Sequence, residues 1–387
     1  MSKPSPVARF TLYALLGGAG CLFGLPLLWL LLTSLKPSEQ TMSNPPTLLP
    51  RAYYAELGGY RVEIMLTARV TTPSVLVETI ADGRRDLRPI HSPAGAIADP
   101  LVRVLKNAPT GWWLVTVRGE IPAGVPARDV VPPSAIETRI HPRWENYPDA
   151  LAAMRGTPPA SDGAAPRPPN PEQDAGFPRF FWNTVIVCVL GVAGAVFSNA
   201  LVAYGFARLK WRGRDAFFAV TLATLMVPFP VLMVPLYGVF KNLGWIGTLL
   251  PLWVPAWFGG AFNIFLMRQF FRTIPEELSE AARIDGASEW RIFWRVIVPL
   301  SKPVLAVVAL FHFLYAWNDF LGPLLYLTRR PTYTLALALQ QYQSQQGGVQ
   351  WHHLMAASAV IILPVVVLFF LAQKTFVQGI ATTGAKG

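Results

Sequence analysis

Four neighbouring residues in one long apolar stretch have side chains suited to binding a polar molecule: Tyr315, Trp317, Asn318 and Asp319. An ionisable side chain in such a stretch is costly in a membrane unless it faces a protein interior or a water-filled cavity. Counted from Pro303, Asp319 lies about 24 Å along a helix that rises about 1.5 Å per residue. Asn318 and Asp319 can instead satisfy backbone groups released near Pro323, and the two interpretations stay open.

A polar segment, Glu280-Ala-Ala-Arg-Ile-Asp-Gly286, lies between two apolar stretches where a membrane protein normally has a short turn. Glu276 and Glu277 suit the positive end of a first helix, and Gly286 suits its end because glycine readily adopts left-handed backbone angles. A second helix is expected over 288–298, and its large apolar residues recur on one face: Trp290, Phe293, Trp294 and Ile297. Two short helices joined at a glycine make a compact projection that can transmit force to a partner.

The sequence has no residue pattern typical of catalysis or metal binding. The phosphate-cradling pattern G-x-x-x-x-G-K-[ST] is absent, so we expect no nucleotide site in this chain. His352 and His353 are adjacent, which places them on different faces of a helix, and no cysteine or carboxylate cluster accompanies them. Cys21 and Cys188 both lie in apolar stretches, so no loop offers a disulfide. We therefore expect no catalytic residue, no metal and no cofactor bound by this chain.

The elements that position these residues are long apolar helices. Hydrophobic residues make up 52% of the 387-residue chain and charged residues 14%, below the roughly one quarter typical of soluble domains. Crossing a hydrocarbon core takes about 20 residues. Six stretches meet that length: 11–33, 181–207, 216–240, 248–267, 303–326 and 354–376. The sequence predicts an all-α polytopic membrane protein with six transmembrane helices.

The distribution of Lys and Arg predicts the orientation in the membrane. The loop after the second stretch and the segment 268–302 are rich in both residues, whereas the opposite short loops carry only Lys241, Arg329 and Arg330. Because short loops rich in Lys and Arg stay in the cytoplasm, we expect both termini and 268–302 on the cytoplasmic side. The net charge of +11 reflects this topology and the basic first loop, and no nucleic-acid-binding motif accompanies it.

The first loop, 37–180, is unusually long and is expected outside the cytoplasm. Its central part, 52–139, contains short β-branched and aromatic runs bounded by Gly and Pro, at 60–71, 74–80 and 111–118. These runs predict a small β-rich insertion, whose core would be marginal at under about ninety residues without disulfides. A Pro-rich linker at about 156–178 follows it.

The segment around Glu280 resembles the EAA loop of ABC importer permeases, and the run 274–299 is similar to the carbohydrate-uptake, MalG-like branch of the binding-protein-dependent transport permease family. Further similar motifs follow in order: Asn183-Thr-Val-Ile186, Ala203-Tyr-Gly-Phe-Ala-Arg208, Met226-Val-Pro228, Trp317-Asn-Asp-Phe320 and Gly384-Ala-Lys-Gly387. The resemblance covers about 181–387, the first apolar stretch within 1–36 and Trp144-Glu-Asn-Tyr147, but not the insertion. It implies that 181–387 is a permease domain.

The resemblance also implies a function and a set of partners. The implied function is import of a sugar or oligosaccharide across the plasma membrane, together with a second permease subunit, two ATPase subunits that use ATP and Mg, and an external substrate-binding protein. The residues implied to couple the chain to the ATPase are Glu280, Ala281, Ala282, Asp285, Gly286, Ala287 and Pro299. Three alternatives stay open: a permease for another solute, a membrane enzyme acting through the external loop, and a membrane-anchored sensor. Co-purification of an ATPase would separate the importer from the sensor.

Overall fold

The computed structural model describes residues 6–43, 46–70, 74–81, 84–90, 102–122, 125, 127–154, 175–345 and 350–384. The chain divides into two compact units, Met1–Tyr147 with Gln350–Ala356, and Pro148–Val349 with Ala357–Gly387. Most of the linker predicted at about 156–178 lies outside the described residues, as do the last three residues of the terminal motif.

Helices dominate the structure. In chain order they are α1 Pro6–Ser34, α2 Asn146–Ala153, α3 Phe177–Ala207, α4 Arg214–Ala223, α5 Phe229–Asn242, α6 Leu250–Trp253, α7 Ala261–Thr273, α8 Glu277–Ile284, α9 Glu289–Ile292, α10 Val298–Leu300, α11 Lys302–Asn318, α12 Leu321–Tyr326, α13 Leu335–Gln345 and α14 Trp351–Gly384. Among the described residues, four helical stretches are long and apolar enough to cross a membrane: Phe10–Ser34, Phe177–Ala207, Leu250–Thr273 and Trp351–Leu371. Two bent helix pairs raise the number to as many as six.

The third predicted apolar stretch is not one straight helix. Arg214–Met226 and Phe229–Asn242 meet at an angle of 100°. The break falls at Val227 and Pro228, which both have extended backbone angles. A proline disfavours helical angles in the residue before it, so Pro228 forces Val227 out of the helix. The apolar stretch predicted over 216–240 is therefore a bent pair of helices.

The fifth predicted stretch, 303–326, is interrupted as well. Helix α11 ends at Asn318, Asp319 takes extended angles, and α12 begins at Leu321. Pro323 explains the position of the break, because proline has no N–H to donate to the carbonyl four residues earlier and its ring clashes with that carbonyl. That carbonyl belongs to Asp319.

Helix α3 is central to the second unit and packs against α7 and α11. Small residues let bulky neighbours approach it closely. A Cβ atom added at Gly194 would lie 2.3 Å from the Trp257 ring, and one added at Gly191 would lie 2.7 Å from His312 Nε2. The Trp257 indole uses this space to donate a hydrogen bond of 3.1 Å to the Leu190 carbonyl. Close helix approach at small residues is typical of membrane proteins.

The first unit contains the β-rich insertion that the sequence predicts. Its strands are β1 Arg51–Leu57, β2 Tyr60–Arg69, β3 Ser74–Ala81, β4 Arg84–Ile90, β5 Val102–Ala108, β6 Trp113–Val117, β7 Arg128–Val131 and β8 Glu137–Ile140. They form an antiparallel five-stranded sheet in the order β7-β6-β2-β1-β8 and a three-stranded sheet in the order β4-β3-β5. One face of the larger sheet has its own apolar core, which includes Leu57, Ile64 and Val115.

The two ends of the insertion lie side by side. Arg51 pairs with Ile140 in the β1–β8 ladder, and the His141 N–H donates to the Pro50 carbonyl at 3.1 Å. The Gln40 side chain binds both backbone groups of Arg51, with its oxygen 3.0 Å from the Arg51 nitrogen. The strands therefore close on themselves before the chain continues.

The chain after the insertion caps the first helix. The Asn146 side chain donates to the carbonyls of Ser34 and Lys36 at 2.7 and 2.9 Å, and Tyr147 Oη lies 2.8 Å from Ser34 Oγ. Carbonyls at a helix end have no partner within the helix, and Asn146 supplies one. This gives Asn146 and Tyr147, which belong to a motif of the resemblance, a physical role.

Candidate functional site

The predicted projection consists of α8, a glycine turn and α9. The Ala287 N–H donates to the Ala282 carbonyl at 2.9 Å, and the Gly286 N–H donates to the Arg283 carbonyl at 3.0 Å. This pair of bonds is a Schellman motif, which requires a left-handed residue at the position of Gly286. Gly286 has a φ of +78°, and nothing lies within 4 Å of the place where a Cβ would be. Its role is therefore conformational rather than steric.

Helix α8 buries almost nothing. Ser279 is its one fully buried residue, and Ala282 is half-buried, whereas Glu280, Ala281 and Asp285 are exposed. Ile284 is 87% exposed and Leu278 is 45% exposed. Exposed aliphatic side chains between carboxylates form a surface suited to a protein groove and unsuited to an anionic membrane surface.

A chain of polar contacts ties the projection to the end of α3. Arg283 Nε donates to Glu289 Oε1 at 2.8 Å, and the Tyr204 hydroxyl donates to Glu289 Oε2 at 2.5 Å. The hydrogen bond from Arg283 lowers the pKa of the Glu289 carboxyl. Tyr204 is buried, and its ring packs on Phe293 with centroids 5.3 Å apart. The projection is thereby fastened to the last turn of α3.

Arg208, at the same end of α3, makes a second set of hydrogen bonds. Its side chain is buried, and it donates hydrogen bonds to the carbonyls of Phe271, at 2.7 Å, and of Ile274. These carbonyls lie at the end of α7, where the helix leaves acceptors without an internal partner. A charged donor makes such bonds stronger than neutral ones. Arg208 thus fixes the point at which the chain leaves α7 for the projection.

The second helix of the projection is less regular than the sequence predicts. Ser288 caps it by accepting a hydrogen bond from the Arg291 N–H at 3.4 Å, but a π-helical turn follows at Phe293–Ile297. Pro299 lacks the N–H that would continue the α-helical pattern, and the Val298 N–H bonds to the Phe293 carbonyl instead. The wider turn buries Ile292, Phe293 and Ile297, while Trp290 and Trp294 are exposed. The rings of Trp290, Phe293 and Trp294 still lie 5.1 to 5.9 Å from one another, so the predicted apolar residues stay adjacent while only Phe293 and Ile297 among them are buried.

The four residues proposed to meet a solute have different environments. Tyr315 is 62% exposed, whereas Trp317 is buried and its indole donates to the Ile361 carbonyl at 3.2 Å. The Asn318 side chain donates to the Leu314 carbonyl at 2.8 Å. Asp319 Oδ1 accepts the Gly322 N–H at 3.0 Å, one of the backbone groups at the start of α12. In this chain Asp319 therefore caps a helix, and Tyr315 and Asn318 are the exposed residues of the four.

The adjacent histidines lie at the start of α14, with ring centroids 4.0 Å apart. Within the described ranges, no group of three or more His, Cys, Asp or Glu residues could hold a metal ion.

Three residues of this site were not singled out individually in the sequence: Tyr204, Arg208 and Glu289. Tyr204 and Arg208 lie in the Ala203–Arg208 motif, but nothing local connects that motif with the projection. Tyr204 and Glu289 are 85 positions apart, so only the tertiary structure reveals their contact.

Comparison with known proteins identifies the family. Residues 181–382 match the model of the binding-protein-dependent transport system inner membrane component. The chain is 34% identical over 203 residues to the lactose transport system permease protein LacG of Rhizobium radiobacter, covering 52% of this chain and 74% of the relative. It is 31% identical over 213 residues to the arabinooligosaccharides transport system permease protein AraQ of Bacillus subtilis, covering 54% and 74%.

A third relative, the sn-glycerol-3-phosphate transport system permease protein UgpE of Yersinia enterocolitica, is 34% identical over 207 residues, covering 53% of this chain and 73% of the relative. A bacterial ABC transporter involved in the import of the acidic polysaccharide alginate aligns in structure with a TM-score of 0.47 and 23% identity, over 59% of this chain and 90% of that chain. The family match begins after the β-rich insertion. The chain belongs to the family of binding-protein-dependent transport system inner membrane components.

Proposed function

We propose that this chain is one of two permease subunits of an ABC importer and that its solute is a sugar or oligosaccharide. Relatives named for lactose and arabinooligosaccharide transport support this solute class. The observation that carries the proposal is the projection, whose outer surface is exposed while its inner side is fastened to α3 through Tyr204 and Arg208. A projection whose outer surface is exposed and whose inner side is bonded to a membrane helix can transmit a partner's movement to that helix.

The partners follow from this role. A second permease completes the pathway, two ATPase subunits bind and hydrolyse ATP with Mg, and an external binding protein delivers the solute. The projection docks into the ATPase through the exposed residues of α8, and this chain has no nucleotide site of its own. When the ATPases close, a displaced α8 moves α3 through the Arg283–Glu289–Tyr204 contacts, which allows the helices to rock between inward-open and outward-open states.

The orientation in the membrane belongs to the same proposal. Six spans place both termini and the projection in the cytoplasm and the insertion outside. Loops rich in Lys and Arg on the side of the projection support this arrangement. Tyr315 and Asp319 are the residues of α11 and its break that we assign to the solute pathway, with Trp317 and Asn318 supporting their backbone.

Reconstitution of transport tests the proposal. The purified chain is combined in proteoliposomes with the candidate second permease, ATPase and binding protein, and ATP-dependent uptake is measured with a panel of labelled oligosaccharides, glycerol 3-phosphate and amino acids. We expect uptake of an oligosaccharide, and we expect Glu280→Lys to abolish both uptake and retention of the ATPase. Lys241→Glu, a charge reversal at an exposed residue outside the projection, serves as the matched control. Normal uptake by Glu280→Lys would contradict the docking role, and uptake of a non-carbohydrate alone would contradict the solute class.

A further inference from the structure

A basic cavity lies beside the start of the projection. It has a volume of 500 Å³, and its lining is predominantly polar. Five basic and two acidic side chains line it, an excess of three positive charges. Its basic residues come from the end of α3 and the connection after it, from the start of α4 and from the second half of α7: Arg208, Lys210, Arg214, Arg268 and Arg272. Like charges around a shared cavity repel one another, so the arrangement favours an anionic ligand.

The protein neutralises this charge only in part. Asp215 lies 3.1 Å from Arg214 and 3.7 Å from Arg268, while Lys210 and Glu276 are 3.8 Å apart, close to the limit for an ion pair. Arg272 makes no ion pair with any residue that the structure describes.

Arg208 supplies a second and independent sign of a ligand. Its side chain is more than nine-tenths buried, and its Nε has no hydrogen-bond acceptor among the described residues. A buried donor without a partner is costly, and a bound anion would satisfy it.

The surroundings of the cavity favour a lipid over a soluble anion. Arg208 directly follows the apolar stretch Phe177–Ala207, and Arg272 lies in the last turn of the stretch Leu250–Thr273. Next to the basic residues, Trp211, Phe217 and Val220 are 42, 63 and 64% exposed. Apolar side chains beside a basic cavity at the ends of membrane helices offer a surface for acyl chains, and tryptophan is common at this depth.

We propose that this cavity binds the phosphate group of an anionic phospholipid, with the acyl chains lying over Phe217 and Val220. The proposal rests on the membrane orientation given under the proposed function, in which the cavity faces the cytoplasmic leaflet. Lys210 and Arg272 supply exposed charges to the headgroup, and the buried Arg208 lines the same cavity. A lipid bound here would lie against Pro275 and Glu276, immediately before α8.

The test measures lipid binding by the purified full-length chain without any ATPase, so that failure of the docking role cannot be confused with failure of this site. The chain is placed in nanodiscs of phosphatidylcholine, and binding of fluorescent phosphatidylglycerol is titrated. The test variant is Lys210→Gln/Arg272→Gln, which keeps the buried arginines. The matched control is Arg291→Gln/Arg295→Gln, which removes the same charge from exposed positions outside the cavity. A charge-conserving variant, Lys210→Arg/Arg272→Lys, checks that the cavity survives substitution.

We expect the test variant to bind phosphatidylglycerol about 30-fold more weakly, since each basic residue near a membrane surface contributes about 1 kcal/mol to the attraction of an anionic lipid. The control and charge-conserving variants should bind like the original chain. Equal binding by all variants would overturn the proposal. Displacement of the lipid by millimolar inorganic phosphate would assign the cavity to a free anion and would also overturn it. In a separate pull-down with the candidate ATPase, a test variant that binds lipid normally but loses the ATPase would assign the cavity to the protein partner and overturn the proposal.

Discussion

The projection at 274–300 and the insertion at 51–140 both extend from apolar helices, but different contacts stabilise them. The projection has little core of its own on α8 and depends on side chains from α3, chiefly Tyr204 and Arg208. The insertion has its own apolar core, and its first and last strands pair with each other. This difference indicates that the projection moves together with the membrane helices, whereas the insertion folds as a separable module.

The neck of the insertion supports this contrast. The Pro50 carbonyl and the His141 nitrogen are 3.1 Å apart, so the chain can bypass the whole module with a short connection. The contacts that cap α1 come from Asn146 and Tyr147, which lie beyond the neck. Removal of the strands leaves those contacts in place, but it breaks the ion pairs Glu63–Arg143 and Arg118–Glu39 and the hydrogen bonds between Gln40 and Arg51.

The largest effect is expected from breaking the turn of the projection. Gly286→Pro removes the N–H that bonds to Arg283 and forbids a φ of +78°, so we expect loss of ATP-dependent uptake with normal amounts of protein in the membrane. Gly286→Asn is the matched control, because asparagine tolerates left-handed angles and the space around the position is open. Uptake by the proline variant at the original rate would contradict the rigid role of the turn.

A smaller but clear effect is expected at Asp319, which tests whether function also depends on polarity within the helices. Asp319→Asn keeps an oxygen that can accept the Gly322 N–H, while Asp319→Ala does not. We expect the asparagine variant to unfold at the original temperature and still to lose most uptake, because the charge is absent from the pathway. If Asp319→Asn shows normal uptake and Asp319→Ala is less stable, Asp319 serves as a helix cap and has no role in the solute pathway.

The contact between Tyr204 and Glu289 provides a double-mutant cycle. Tyr204→Phe and Glu289→Ala should each destabilise the chain, and the double variant should fall short of their sum by about 1.5 kcal/mol, as expected for a hydrogen bond to a charged group. Unfolding in detergent measures these values. Because the folded pKa of Glu289 is lowered, its stabilisation is present above the ordinary carboxyl pKa and is lost as the pH falls through the folded value. Additive effects at pH 7 would contradict the contact.

The smallest effect on assembly is expected from removal of the insertion. We expect replacement of 51–140 by a short Gly/Ser linker to preserve membrane insertion and ATPase retention, and to weaken the stimulation of ATPase activity by loaded binding protein. The deletion should be combined with Arg143→Gln, because loss of Glu63 would otherwise leave the buried Arg143 paired with the exposed Glu145 alone among the described residues. If the binding protein stimulates ATPase activity as strongly as before, the insertion is only a spacer. If the deleted chain does not assemble in the membrane, the insertion is part of the fold.

The sequence by itself determined the features that depend on local spacing. The apolar stretches, the insertion and the end of α8 at Gly286 all follow from residue types within a few positions of one another, because helix length, strand pattern and left-handed turns are local properties. The bend at Pro228 rests on an equally local rule but was not predicted, whereas backbone groups released near Pro323 were one of the two interpretations of Asn318 and Asp319. Hydrophobicity averaged over a span does not distinguish a straight helix from one bent by 100°.

Only the tertiary structure decided how the projection is held. Tyr204 meets Glu289 across 85 positions, and Arg208 reaches the Phe271 carbonyl across 63. The π-helical turn at Phe293–Ile297 brings Phe293 and Ile297 into the buried cluster that also contains Tyr204, while Trp294 stays exposed. Such contacts depend on which helix ends the packing brings together, and a buried hydroxyl or guanidinium selects its acceptor from whatever chain lies there.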